Sequence, residues 1–346
     1  MMEQEPLESS RRKVLVIHPA ALGDVLLARP AIRALRRRFQ NHEMAFLGGR
    51  AVGMLLHDCG EVNQVFPIES AYLGELFAGS EYLSRPFRDW LEHADVAVGW
   101  LTDREGIVAG TLRAVGVRSI QFQPALSADY QAEHQADRYC EALGLEGAEL
   151  QLGRRLALPS GIRRQGQQSL QALKVRRDTP LVVVHAGSGS VSKCIEPWRL
   201  AQVIGWLVAF GAAPLLLEGP ADQNAVASVL SRLSHGVPVV RGESVSVIAG
   251  VLSQAALYIG QDSGITHLAA ALGVPTVACF GPTDPRRWAP RGSHITVLTG
   301  LRCACPSWHD VEICGERACL QISPERIIEA IRAYLIERVL PHSENT

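Results

Sequence analysis

Short apolar runs rich in β-branched residues alternate along this chain with longer stretches whose apolar positions recur every three or four residues. The first pattern is that of buried strands, the second that of one-sided helices. Lys13–His18 (KVLVIH) is the first run; it meets Pro19 and Gly23, after which Leu26, Ala28, Ile32, Leu35 and Phe39 show helical spacing over 25–39. Strands follow at 44–47, 65–68, 96–98 and 119–122, with helices around 51–57 and 103–115. A basic, glutamine-rich, weakly apolar stretch over 153–178 holds one amphipathic helix, and the alternation then restarts. Strands at 181–185, 214–217, 237–240, 257–260 and 276–280 enclose helices at 198–210, 223–233, 245–253 and 265–272. Ser323 as N-cap and Pro324 at the first helical position open a last amphipathic helix.

Such alternation predicts an α/β protein with parallel sheets covered on both faces, and the restart predicts two of them. A length of 346 residues agrees, being too great for one ordinary core. The expected organisation is a disordered tail over 1–12, a Rossmann-like domain over 13–165 and a second over 175–322. A C-terminal helix over 323–340 is expected to pack back toward the first domain. Doubly wound sheets bind ligands at the carboxyl ends of their strands, so function is expected in the loops that follow strands, facing a central cleft.

Composition narrows the classes. A net charge of −1 leaves no electrostatic footprint for nucleic acid. The opening MMEQEPLESS is acidic and polar, unlike a secretory signal. The uncharged stretch 264–283 has the length of a membrane span, but His267, Gly273, Pro275 and Gly281 make it a helix, turn and strand. A cytoplasmic protein is expected. Its 8 cysteines then imply reduced thiols rather than a disulfide scaffold. Four fall late, at Cys303, Cys305, Cys314 and Cys319; without paired C-x2-C knuckles they are either a reduced cluster or, as the weaker alternative, a zinc site.

Three loops carry candidate chemistry. In HPAALGDV, 18–25, Asp24 opens a helix and is either an end-stabilising carboxylate or a base facing the cleft. In HAGSGSVSKCIEPW, 185–198, Gly187 and Gly189 begin a dinucleotide fingerprint that Ser192 breaks, and no acidic residue follows at about 20 positions, which argues against a dehydrogenase. Its glycine and serine donors with Lys193 suit a diphosphate, the alternative being a solvated lysine. In YIGQDSGITHLAAALGVPTVACFGPTDP, 258–285, Asp262, Ser263 and Gly264 precede a helix N-terminus that suits an anion. Asp262 is either an N-cap or a ligand-binding residue, and His267 either a core histidine or its partner. Arg29, Arg33, Arg36, Arg37 and Arg38 crowd the first helix, as a solvated back or as a basic face for an anionic glycolipid.

Together LGDVLLARPAIRALRRRF, the HAGS…SK…EPW loop, the GPAD segment at 219–222 and GQDSGITHLAAALGVPTVACFGPTDP resemble glycosyltransferase family 9, the ADP-heptose:lipopolysaccharide heptosyltransferases. The similarity extends over about residues 13–335 and includes the late cysteines and the final helix with Ile322, Pro324, Glu325 and Ile327. The resemblance implies a GT-B fold: two Rossmann-like domains, the first for the acceptor and the second for the donor. It also implies inverting transfer from a nucleotide-diphosphate sugar without metal or other cofactor, of a heptose from ADP-heptose to a lipopolysaccharide core acceptor of the lipid A–Kdo type at the inner membrane face. Asp24 matches the family's base. Ser188 and Lys193 match the positions that hold the departing diphosphate, and Asp262, Ser263, Gly264 and His267 the donor shelf. Asp222, with Glu218 as the other candidate, falls near the acidic residue for the donor nucleoside; Gly23, Arg33 and Arg36 are the acceptor-side candidates. The Lys193 loop and the HPAAL segment depart from the family's usual wording, which leaves sugar and acceptor open. A nucleotide-sugar epimerase would need acids arranged for elimination, and a non-catalytic sugar-nucleotide binder would have been suggested by loss of Asp24 or Lys193.

Overall fold

The computed structural model describes residues 12–125, 133–145 and 154–339. The expected tail, apart from Arg12, and residue 340 lie outside them. The described chain divides into two compact units. Residues 12–21, 28–125 and 136–145 form the first, and 154–339 together with Leu22–Leu27 and 133–135 form the second. The assignment of Leu22–Leu27 departs from a boundary drawn by sequence order alone.

In chain order the elements up to residue 145 are β1 (Lys13–His18), α1 (Leu22–Arg38), β2 (Glu43–Gly48), α2 (Arg50–Asp58), β3 (Gln64–Pro67), α3 (Tyr72–Ala78), α4 (Arg85–Leu91), β4 (Ala94–Gly99), α5 (Ile107–Ala114), β5 (Ser119–Phe122) and α6 (Gln135–Glu141). The five strands pair in parallel in the order β3-β2-β1-β4-β5. β1 is central and buried from Val14 to His18, which is why it reads as an unbroken apolar run. Leu15, Ile17, Leu47 and Phe66 from the sheet pack with Phe87, Trp90 and Leu91 of α4. α3 and α4, at 7 residues each, are too short to show a helical period and were not expected. α5 begins at Ile107 rather than near 103 because the Asp103 carboxylate lies outside the helix. It accepts the Val108 and Ala109 N–H groups at 3.2 and 2.9 Å.

The second unit continues with α7 (Ser160–Ala172), β6 (Leu181–His185), α8 (Pro197–Phe210), β7 (Ala213–Glu218), α9 (Gln223–Leu230), β8 (Val239–Arg241), α10 (Val245–Leu252), β9 (Leu257–Gln261), α11 (Gly264–Ala271), β10 (Thr276–Phe280), α12 (Pro285–Trp288), β11 (Ile295–Thr299), α13 (Trp308–Ile313) and α14 (Pro324–Val339). Its six strands are parallel in the order β11-β10-β9-β6-β7-β8. β11 is half-buried throughout, as befits an edge strand, and was not expected. Val182, Val184, Ile204, Leu207 and Ile259 form one core, which Ile327, Ile331 and Leu335 of α14 complete. The apolar stripe of the last helix thus enters the second unit's own core. Among the described residues no helix is long and apolar enough to cross a membrane.

Candidate active site

Strand order in the second sheet reverses between β6 and β9, which are neighbours although far apart in sequence. At such a switch point the two following loops diverge and leave a crevice. Gln261, the last residue of β9 and 1% exposed, clasps both ends of the loop after β6. Its Oε1 accepts from Ile195 N at 2.7 Å, and its Nε2 donates to Ala186 O at 2.6 Å. Ser188 in that loop donates its hydroxyl to Asp262 O at 2.5 Å. Nothing in the sequence patterns marked Gln261, because its task is to bind backbone.

Ser263, not Asp262, caps α11: its hydroxyl accepts from Thr266 N at 3.4 Å. Asp262 is thus released from the capping role and turns its carboxylate to two partners. Oδ2 lies 2.9 Å from Lys193 Nζ and accepts from Thr283 Oγ1 at 2.5 Å. Lys193 is itself carried on a 3₁₀ turn, Val191–Lys193, and its ammonium stands 5.7 Å from the ring centre of Trp308. A cation, a carboxylate and a helix N-terminus therefore converge on the β6–β9 crevice. The arrangement favours an arriving polyanion, because the fixed N–H dipoles of α11 and the ammonium need not reorganise to meet it.

Beneath this lies a buried polar chain. His185, the end of β6, places Nε2 3.0 Å from Asp222 Oδ2 and Nδ1 3.2 Å from Ser263 Oγ. Asp222 Oδ2 also accepts from Gly219 N at 2.9 Å. Burial raises the Asp222 carboxyl's affinity for a proton, but the His185 hydrogen bond and charge, with the Gly219 N–H, outweigh it and hold the group below the usual carboxylate range. Gly187 leaves room for this pair; a Cβ there would fall 1.7 Å from Asp222 Oδ1. Asp222 is thus committed to His185 and the 219 turn. The other nucleoside candidate, Glu218, is paired with Arg241 at 3.1 Å. His185 was not among the residues singled out from sequence, although it ends the β6 run.

The first turn of α1 belongs to the same unit. Ala21 occupies its N-cap position and no side chain caps it, so Asp24 lies inside the helix, at the third position, half-buried. Gly23 and Gly264 let the starts of α1 and α11 meet. A Cβ on Gly264 would be 3.2 Å from Gly23 N, and one on Gly23 would be 3.1 Å from His267 Cδ2. His267 is buried, and burial pushes its pKa down to about 4; Asp262 pulls upward, while His134 and Lys193 add to the depression. The imidazole is therefore neutral at pH 7, an uncharged hydrogen-bonding group beside Gly23.

Not every expected residue joins this cluster. At about 1.5 Å per residue, Arg36 is roughly 18 Å along α1 from Asp24 and Arg33 roughly 14 Å. Arg36 donates to His42 O at 3.2 Å and Asn63 Oδ1 at 2.6 Å, tying the helix C-terminus to the loops before β2 and β3. Arg36 thus staples the far end of the helix. Arg29 is likewise structural, its Nε 2.7 Å from Glu61 Oε1 in a nearly buried ion pair. Cys303, Cys305, Cys314 and Cys319 are free thiols. Among the described residues no three His, Cys, Asp or Glu side chains are grouped to hold a metal ion.

The family "Glycosyltransferase family 9 (heptosyltransferase)" matches residues 100–313, more than half of the sequence. The chain belongs to glycosyltransferase family 9. It is 25% identical over 298 residues to lipopolysaccharide heptosyltransferase 3 of Escherichia coli, covering 79% of this chain and 84% of that one. Among solved structures it is similar to a family 9 glycosyl transferase from Veillonella parvula, with a TM-score of 0.77 and 20% identity, covering 96% and 100% of the two chains. It is also similar to E. coli ADP-heptose lps heptosyltransferase II, with a TM-score of 0.72 and 20% identity, covering 95% and 100%. The two parallel α/β units of this glycosyltransferase are those of the GT-B fold.

Proposed function

We propose that this glycosyltransferase moves a heptose from an ADP-activated donor to a lipopolysaccharide core acceptor of the lipid A–Kdo type, with inversion and without a metal. Family membership and a relative named as a lipopolysaccharide heptosyltransferase support the reaction class. A structural neighbour named for ADP-heptose supports the donor. The observation that carries the reading is the Lys193–Asp262 pair at the N-terminus of α11.

In this reading the diphosphate lies against Lys193, the Ser188 hydroxyl and the N–H groups that open α11. The negative charge on the leaving diphosphate grows as the bond to the anomeric carbon breaks, so these groups stabilise the transition state more than the bound substrate. Asp262, Ser263, Gly264 and the neutral His267 form the sugar shelf, and Asp222 orients it through His185. Asp24 takes the proton from the acceptor hydroxyl as its oxygen attacks from the face opposite the diphosphate. Gly23 keeps that approach open, and Arg33 on α1 offers a cation to an anionic acceptor. The enzyme works on the cytoplasmic side, at the inner-membrane surface where such an acceptor is presented.

The test is a transfer assay with ADP-heptose and heptose-free lipopolysaccharide, following ADP release and acceptor mass. Addition of one heptose, with UDP- and GDP-sugars inert and EDTA without effect, is the expected result. Turnover restricted to another nucleotide sugar, or lost with EDTA and restored by magnesium, would overturn the corresponding part. Lys193→Ala should weaken ADP binding about tenfold or more, the loss of a charge-assisted contact.

A further inference from the structure

Between β11 and α14 the chain makes an excursion closed at its base by Gly300 N to Cys319 O at 3.0 Å and Leu301 N to Ala318 O at 3.1 Å. Two of its side chains reach the Lys193 turn. Arg317 Nη2 donates to Val191 O at 2.7 Å and to Cys194 O at 3.1 Å, the carbonyls at the first residue of that turn and just beyond its last. Trp308, which begins α13 behind a Ser307–Asp310 capping box, holds its indole against the Lys193 ammonium.

Within the turn Ser192 is buried and its N–H bonds the Ser190 hydroxyl at 3.3 Å, whereas Val191 is 78% exposed, so it is the outer carbonyls of the turn that Arg317 holds. The residue that spans it is itself held at φ 45°, in the left-handed region that side chains other than glycine rarely adopt. A backbone conformation of that kind persists only where surrounding contacts over-determine it, and such positions gather at functional sites. Here the contacts are the two carbonyls beside Lys193.

We infer that Arg317 and Trp308 are positioning residues for Lys193: Arg317 sets the backbone of the turn, and Trp308 confines the ammonium, so that Lys193 meets the departing diphosphate without first being ordered. This rests on Lys193 holding that diphosphate, as proposed above. It assigns a role in donor binding to a segment that reaches the site at the Lys193 turn.

Arg317→Gly separates this role from stability, because glycine accepts the left-handed backbone while the guanidinium is lost. The expected variant melts within a few degrees of wild type, the relieved backbone offsetting the lost hydrogen bonds, yet binds ADP about tenfold more weakly by calorimetry and loses a similar factor in kcat/KM. In a Lys193→Ala background the same substitution should change ADP affinity less than about twofold, because the effect runs through the lysine. Trp308→Leu should show the same dependence on Lys193, and carries the test should Arg317→Gly fail to fold. Lost affinity in Lys193→Ala with wild-type affinity and kcat/KM in both Arg317→Gly and Trp308→Leu would overturn the inference alone. Additive losses in the Lys193→Ala background would do the same. Wild-type ADP affinity in Lys193→Ala itself would overturn the reading of the lysine and this inference with it.

Discussion

Lys193 and Asp262, 69 positions apart, form a largely buried ion pair with Nζ 2.9 Å from Oδ2, and Thr283 donates to the same carboxylate oxygen. An incoming diphosphate has to share the ammonium with a carboxylate already in place. Asp262→Asn removes that competing charge and keeps an acceptor for Thr283. Bare ADP should then bind about twofold to tenfold more tightly at low salt, and less so at high salt. Unchanged ADP affinity by low-salt calorimetry would show that the diphosphate does not meet Lys193.

Asp24 lies within the first turn of α1, inside the helix rather than at its N-cap position, and Asn keeps its size and shape. Asp24→Asn is therefore expected to keep the melting temperature within a few degrees and leave ADP binding intact. Turnover should fall by about 10² to 10⁴, the usual worth of general-base catalysis. Near-wild-type turnover in a transfer assay would remove Asp24 as the base.

His267 gives the fold a pH dependence whose sign is determined by its environment. Burial lowers its pKa from 6.5 to about 4, so the unfolded chain takes up the proton first as pH falls. The stability at stake is complete above about pH 6.5 and is lost progressively as pH falls toward 4, by up to about 3 kcal/mol. His267→Gln has nothing to titrate. Melting curves at pH 7.5 and 4.5 should show a larger drop for wild type than for this variant, and equal drops would contradict the buried neutral imidazole.

Two glycines of one loop should respond in opposite ways. A Cβ on Gly187 collides with Asp222, whereas one on Gly189 meets nothing within 4 Å. Gly187→Ala is expected to break the His185–Asp222 bond and cost at least about 2 kcal/mol. Gly189→Ala should melt like wild type. Equal chemical-denaturation midpoints for the two would contradict this packing.

The local order of strands and helices was legible because it depends on neighbours in sequence. β6 at 181–185 and β10 at 276–280 were read with the bounds observed, since continuous apolar runs between turn residues have no other stable use. The candidate residues Asp24, Ser188, Lys193, Asp222, Asp262 and His267 were also legible, because each lies in a loop or helix start beside a strand end and within the family's motifs.

What those residues do to one another depended on which strands became neighbours. Placing β6 beside β9 joins Lys193 to Asp262 and His185 to Ser263, and no spacing along the chain encodes that pairing. Gln261, Arg317 and Trp308 act on backbone or on a charge brought from elsewhere, so their own surroundings in sequence carried no signal. Periodicity likewise marked α14 as amphipathic without saying which core its apolar stripe would enter, because a stripe specifies burial but not the partner that provides it. Sequence alone determined the elements and the chemical groups; tertiary structure decided the pairings, since an ion pair or a buried hydrogen bond exists only once distant segments are held within about 3 Å.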